Sequence, residues 1–364
     1  MVLQAQTAVA ATGHSYAYED LGGTHRAACD TCTHTFTEAH GFTDGLCICG
    51  ATELTLDETI VINHSLNLAS DISVNFAVQT SLLEDYDSFL LEVKIPRYEG
   101  NEKVDTELLI IEPILNGYYY YFTLNGLTAV QMNDEVEATL QMTKNGRSYF
   151  SNTDRYSIST YAYSQLNKTS VPNALKEVCA NLLQYGTKAQ IYKKYRTDAP
   201  VDAAMTEAHK AFLTDPEAVT FGNTNRTLND VENPTVTFAG KTLSLESKVV
   251  VRYIANLSAY TGAMEDLVLK VTYTDSTGRT VTAELRSPVV FHEATKWYAF
   301  DFGELRAAEL RTVLSAAVFE GDTQVSPTVE YTVDTYCNNK TGTLGDLCKA
   351  MMAYSDSAAV IFAP

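Results

Sequence analysis

Apolar and polar residues alternate along most of this chain. Ile72, Val74 and Phe76 alternate with Ser73 and Asn75, and the runs Leu90-Leu91-Glu92-Val93-Lys94 and Leu267 to Tyr273 are β-branched and aromatic. A period of two places side chains on opposite faces of a strand, so these runs predict half-buried β-strands. Gly100-Asn101, Asn116-Gly117, Asn125-Gly126 and Asn145-Gly146 supply the turn chemistry between them. Strands at roughly ten-residue spacing predict an immunoglobulin-like antiparallel β-sandwich. The period then changes. Leu175, Val178, Cys179, Leu182 and Leu183 fall at helical spacing, and so do Leu344, Leu347, Cys348, Met351 and Met352. Each set predicts an amphipathic helix whose stripe covers an open edge or face of its own sandwich.

The pattern occurs twice. Residues 64–74 answer to 241–251, 119–124 to 297–302, and 156–161 to 331–336. Leu127, Ala129 and Met132 answer to Leu305, Ala307 and Leu310, and Tyr185 and Ala189 to Tyr354 and Ala358. All these blocks upstream of the helices read as strands. Order kept over successive blocks predicts two tandem copies of one unit. The expected organisation is a signal-peptide remnant or flexible N-terminus at 1–12 and a Cys/His-rich module at 13–52. Repeat one follows at 53–196, a linker packed on the first unit at 197–232, and repeat two at 233–364. The fold class is mainly β: a small zinc-ribbon-like segment and two sandwiches, each closed by a C-terminal helix.

Composition narrows the function classes. With 45% apolar and 20% charged residues the chain is that of a folded protein. A net charge of −19 repels phosphate backbones and anionic lipid, which argues against nucleic-acid and membrane-surface partners. No apolar run is long enough to span a bilayer, so membrane insertion is not expected. Ala8-Val9-Ala10 fits a signal-peptidase site. This predicts export to the extracellular space or cell surface, with Met1 internal to a longer precursor.

Four cysteines crowd one short segment. Cys29-x-x-Cys32 precedes Cys47-x-Cys49, and His14, His25, His34 and His40 lie among them. Two thiol pairs across a loop can converge on one tetrahedral zinc, and so small a segment needs a staple to fold. Structural zinc on Cys29, Cys32, Cys47 and Cys49 is the expectation, with two disulfides or a disordered state as the alternatives. A four-thiolate site is closed, which argues against catalytic zinc. Elsewhere, Cys179 and Cys348 share one helix position, where a small buried residue is expected. Cys337 could bridge to Cys348 in the second copy only.

The pattern His14-x-Tyr16, Gly23-Thr24-His25, Cys29-x-x-Cys32, His40-x-Phe42, Gly45-x-Cys47-x-Cys49-Gly50-Ala51 resembles a module of secreted, multi-domain proteins of gut-dwelling Gram-positive anaerobes. The paired strand-plus-helix units resemble domains from the same group, although Ser355 stands where the first copy has Gly186. The resemblance implies location and modularity, and no activity.

The motifs H-E-x-x-H, G-x-S-x-G, G-x-x-x-x-G-K-[ST] and G-x-G-x-x-G are absent from the sequence. His64, His209 and His292 have no evident catalytic partner, and the acidic loop at Glu84, Asp85 and Asp87 reads as solvated. The aromatic runs are the remaining chemistry. Tyr119 and Tyr121 in one copy, and Trp297 and Tyr298 in the other, are candidates for stacking on sugar rings or anchoring a protein. The expected function is therefore a non-catalytic extracellular module binding a host protein or a glycan. A structural spacer and a glycan-active enzyme or its accessory module are the alternatives.

Overall fold

A computed structural model describes residues 14–21, 24–43, 45–67, 72–245 and 248–362. The expected signal-peptide remnant, Gly23 of the module pattern and parts of the first repeated block lie outside the described residues. The chain is mainly β, with several antiparallel sheets and a few helices.

The head is a three-stranded antiparallel sheet of Tyr16–Asp20, Thr24–Cys29 and Thr35–Ala39, followed by a hairpin of Phe42–Thr43 and Leu46–Cys47. Its interior is small. His25, Ala27 and Cys29 line the buried face of the central strand, and Cys47 meets them from the hairpin.

Behind it stand two sandwiches. In the first, one sheet runs in the order Ile114–Asn116, Tyr119–Leu124, Ser73–Gln79, Asn63–Asn67. The facing sheet is centred on Ser88–Glu99 and Val136–Lys144. Leu54–Leu56 joins its edge against Arg147–Phe150, a parallel pair in otherwise antiparallel sheets. The second sandwich has a four-stranded sheet of matching order. Val289–His292, Trp297–Phe302, Val249–Asn256 and Thr237–Leu245 form one sheet. Leu267–Thr274 and Leu314–Glu320 centre the other. Alternation decides what is inside. Val74, Phe76, Val78, Phe122 and Leu124 meet Leu91, Val93, Leu140 and Met142 in one core. Val251, Tyr253, Phe300 and Phe302 meet Leu269, Val271 and Val318 in the other.

The blocks at 156–161 and 331–336 are not strands throughout. The strands Asp154–Tyr156 and Val329–Tyr331 end there, and the helices α1 (Ile158–Asn167) and α4 (Val333–Cys337) begin. The cause is capping chemistry: the Ser157 hydroxyl accepts from the Thr160 N–H, and Thr332 from the Thr335 N–H. The expected long helices follow as α2 (Asn173–Lys193) and α5 (Gly342–Phe362), separated in the chain by the short α3 (Glu207–Lys210). Val178, Cys179, Leu182 and Leu183 of α2 are fully buried in the first core, and Cys348, Met351 and Met352 of α5 in the second. Cys337 and Cys348 are buried free thiols.

The helices do more than close their own sandwiches: α2 also packs against α5. Tyr185 and Tyr354 stack with ring centroids 6.0 Å apart and planes 11° from parallel. Tyr354 belongs to the first core although α5 follows the second sandwich, and Tyr185 packs against the second core. Residues 197–232 are equally tied at both ends. Val201 and Met205 enter the first core, and Asn225–Thr227 pairs with Val329–Tyr331 in the second unit.

Tyr253 offers a direct check. Its side chain is fully buried and its hydroxyl has no hydrogen-bond partner among the described residues. A buried hydroxyl without a partner costs roughly 1–3 kcal/mol of desolvation. Tyr253→Phe is therefore expected to raise stability by about 1 kcal/mol, read as a higher denaturant midpoint at constant slope. A lower midpoint would show that the hydroxyl is satisfied.

Candidate metal centre

The four head cysteines do not converge. They separate into two groups, each completed by histidine: His25, His40, Cys47 and Cys49 in one, and His14, Cys29 and Cys32 in the other. The reason is strand geometry. His25 and Cys29 lie on one face of the same strand, four residues apart, which at ~3.3 Å per residue is about 13 Å. No single ion bridges that distance. The expected ligand set of Cys29, Cys32, Cys47 and Cys49 is thus divided by the central strand.

In the first group, Cys47 Sγ lies 3.3 Å from His25 Nδ1, and Cys49 Sγ lies 3.4 Å from His40 Nδ1. With metal–sulfur bonds near 2.3 Å and metal–nitrogen bonds near 2.0 Å, tetrahedral angles put N···S at about 3.5 Å and S···S at about 3.8 Å. The ligand atoms all lie within 4.8 Å of one another, so the set is close to the shape an ion requires. His25 and Cys47 are buried; His40 and Cys49 are half-buried.

The opposite ring nitrogens are also placed. His25 Nε2 is 3.1 Å from Glu38 Oε1, and His40 Nε2 is 3.4 Å from Asp20 Oδ1. A carboxylate that accepts a hydrogen bond from Nε2–H leaves the Nδ1 lone pair directed at the thiols, the usual outer arrangement of a metal-bound imidazole. Strand register supplies it, since His25 sits opposite Asp20 on one neighbour and Glu38 on the other. Burial alone would push the Cys47 thiol up. Hydrogen bonds from the backbone of Cys49 and from the His40 side chain draw it down to about 6. Cys49 is pushed up, chiefly by burial.

The second group is more open. His14 Nδ1 stands 3.4 Å from both Cys29 Sγ and Cys32 Sγ. Hydrogen bonds from the Thr31 side chain and backbone, then from His14, hold the Cys29 thiol at about 6. Both groups can hold a metal ion. Histidine ligands were available in the sequence, but only strand pairing shows which thiols they join.

The aromatic candidates divide by strand parity. Tyr119 and Tyr121 point outward from their sheet, with ring centroids 6.1 Å apart, while Tyr120 and Phe122 turn inward. Ile114 sits directly across from Tyr121 and is 66% exposed, and Tyr118 in the adjoining turn is 84% exposed. In the second sandwich Trp297 points outward beside His292. Tyr298 does not join it: it shares the parity of Phe300 and Phe302 and packs on the core. Of the remaining histidines, His64 Nδ1 is 2.7 Å from Asp154 Oδ2, and its ring lies tilted against Tyr156 with centroids 3.9 Å apart. His209 caps α3 and meets Asn167, and His292 meets Thr295. These are contacts that fix local structure. Likewise, Asp85 pairs with Lys144, and Asp87 accepts from the Asn145 N–H.

No protein-family model matches this chain, and no curated protein matches it. Among solved structures, similarity is found to a GH family 64 laminaripentaose-producing beta-1,3-glucanase from Paenibacillus barengoltzii complexed with laminarihexaose. It has 9% identity and a TM-score of 0.19 over 71% of this chain and 47% of that one. S. aureus TarS is similar with 8% identity and a TM-score of 0.16, over 80% of this chain and 41% of that one. The chain spans less than half the length of either, and likenesses of this size carry no argument about fold or activity. No helix among the described residues is long and apolar enough to cross a membrane.

Proposed function

We propose that this chain is a non-catalytic binding module of an exported or surface protein, with a head folded around zinc and a ligand face on the first sandwich. The outward tyrosine pair Tyr119 and Tyr121 carries the reading. Their rings, with Ile114 and Tyr118, form an apolar patch on a sheet face whose other side is already packed. Flat aromatic rings on a rigid sheet suit stacking against a sugar or an apolar side chain of a host protein. Zinc is the ion assigned to the head because two thiolates and two imidazoles at tetrahedral spacing suit its borderline-soft character.

A second reading is supported by the α2–α5 contact. Two sandwiches sharing a buried helix pair make a stiff unit, which suits a spacer that holds other domains apart. Glycan and protein arrays probed with the intact chain separate the two. The binding reading expects a ligand whose affinity falls about 30-fold in the Tyr119→Ala/Tyr121→Ala variant, the effect of losing ~2 kcal/mol of anchor contact. Clean negatives on both arrays remove the binding reading and leave the spacer. Turnover of an arrayed glycan would overturn both in favour of an enzyme.

A further inference from the structure

We propose that the head carries a second zinc centre on His14, Cys29 and Cys32, and that this centre keeps an open coordination position for an exchangeable donor of the imidazole class. The inference extends the zinc-folded head proposed above and rests on that reading for the choice of ion.

The three ligand atoms are already gathered. His14 Nδ1 lies 3.4 Å from each sulfur, against the roughly 3.5 Å that a tetrahedral zinc requires, and all three atoms lie within 4.8 Å of one another. The two centres share the central strand, which carries His25 near one end and Cys29 at the other, but no ligand is common to both. Cys29 ends the central strand, Cys32 follows in the turn, and His14 precedes the first strand, whose Tyr16 is in register with Cys29. The turn aims donors at both sulfurs. Thr31 Oγ is 3.4 Å from Cys29 Sγ, and the His34 N–H donates to Cys32 Sγ over 3.5 Å. Donors placed in this way disperse thiolate charge around a bound ion.

The two centres differ in what completes them. The closed group has four ligands on protected side chains. This group has three, of which Cys29 is buried while Cys32 and His14 are exposed. His34 is the nearest further imidazole. Its ring stacks on His14 at 5.1 Å, but its Nδ1 is held 3.0 Å from the Tyr16 hydroxyl, and it stands outside the convergent set. The fourth vertex therefore lies on the exposed side. Two thiolates and a neutral imidazole cancel the charge of a divalent zinc, which weakens its acidifying effect on bound water. Such a centre favours reversible capture of a neutral nitrogen donor over hydrolysis. Three protein ligands with an open position is the arrangement that exchanges ligands.

The test uses the full chain, stripped of metal and reloaded with Co²⁺ as a visible probe. Two ions per chain are expected, and added imidazole should shift part of the Co²⁺ spectrum. Cys29→Ser/Cys32→Ser should bind one ion and lose the imidazole response. His14→Ala, which alters an exposed residue, should weaken one ion at least tenfold while the other stays bound. One ion in the parent chain, unaffected by Cys29→Ser/Cys32→Ser, would overturn this proposal and leave the zinc-folded head standing. No ion at all would overturn both. Two ions with a spectrum indifferent to imidazole would overturn the open position.

Discussion

Removing metal with a chelator is expected to unfold residues 14–52 and leave both sandwiches folded. The head has little else to hold it. Ala27 is its one fully buried aliphatic residue among the described positions, and the rest of its interior is His25, Cys29 and Cys47. Ordering each residue costs roughly 1–2 kcal/mol of backbone entropy, which so small an apolar interior does not repay. Structural zinc in small domains contributes about 10–16 kcal/mol near neutral pH, and that binding energy is folding energy. The sandwiches draw on separate cores and reach the head through limited contacts. They include Thr52 Oγ1 to Ser148 Oγ at 2.7 Å and the approach of the Arg147 side chain to Gly45. Amide NMR of the full chain provides the measurement. Signals of the head should collapse to random-coil positions on chelation and return with zinc, while those of the cores stay dispersed. Cys47→Ser should reproduce the collapse. Glu38→Gln should keep the fold at saturating zinc but weaken affinity about 10–100-fold, because Glu38 orients the His25 ring. Acid acts in the same direction as chelator, since protons compete with metal for thiolates and imidazoles. A head that stays dispersed without metal would end the zinc-folded reading.

Much of this arrangement is legible in the residues, and the failures have physical causes. Period-two alternation places Phe76, Phe122 and Phe300 inside, and helical spacing marks Val178, Cys179, Met351 and Met352 as the buried stripes, because both signals are local. The same parity puts Tyr298 on the core side with Phe300, so a pair chosen as neighbours, Trp297 and Tyr298, faces two ways. Ser157 and Thr332 are capping residues three positions before Thr160 and Thr335. That signal turns an apparent strand block into the start of a helix. The metal ligands were visible as a set but not as groups. Which histidine joins which thiol depends on the register that brings Asp20 and Glu38 to His25 and sets Cys29 a strand's length away. The α2–α5 contact is least legible of all. Tyr185 and Tyr354 align in the repeat expected from the sequence, and alignment does not reveal that the two rings meet.

That contact yields the second large effect. Tyr354→Ala is expected to cost about 3–5 kcal/mol and to split one unfolding transition into two, because it empties a site shared by both cores. The ring is 4% exposed, belongs to the first core, and stacks on Tyr185, which packs on the second. Gly186 makes the neighbouring approach possible. A Cβ there would fall 2.8 Å from Met132 Sδ and 3.1 Å from Val201 Cγ2, so Gly186→Ala should destabilise the first unit by about 1–3 kcal/mol through overpacking. Tyr354→Phe separates ring from hydroxyl. The hydroxyl is buried with no hydrogen-bond partner among the described residues, so its removal should leave stability unchanged or raise it by about 1 kcal/mol. Calorimetry of the three variants decides the matter. If Tyr354→Ala retains a single transition at the parent midpoint, the sandwiches do not depend on the helix pair. The stiff-spacer reading would then lose its support. If Ala and Phe fall equally, the hydroxyl rather than the stack is the source of the coupling.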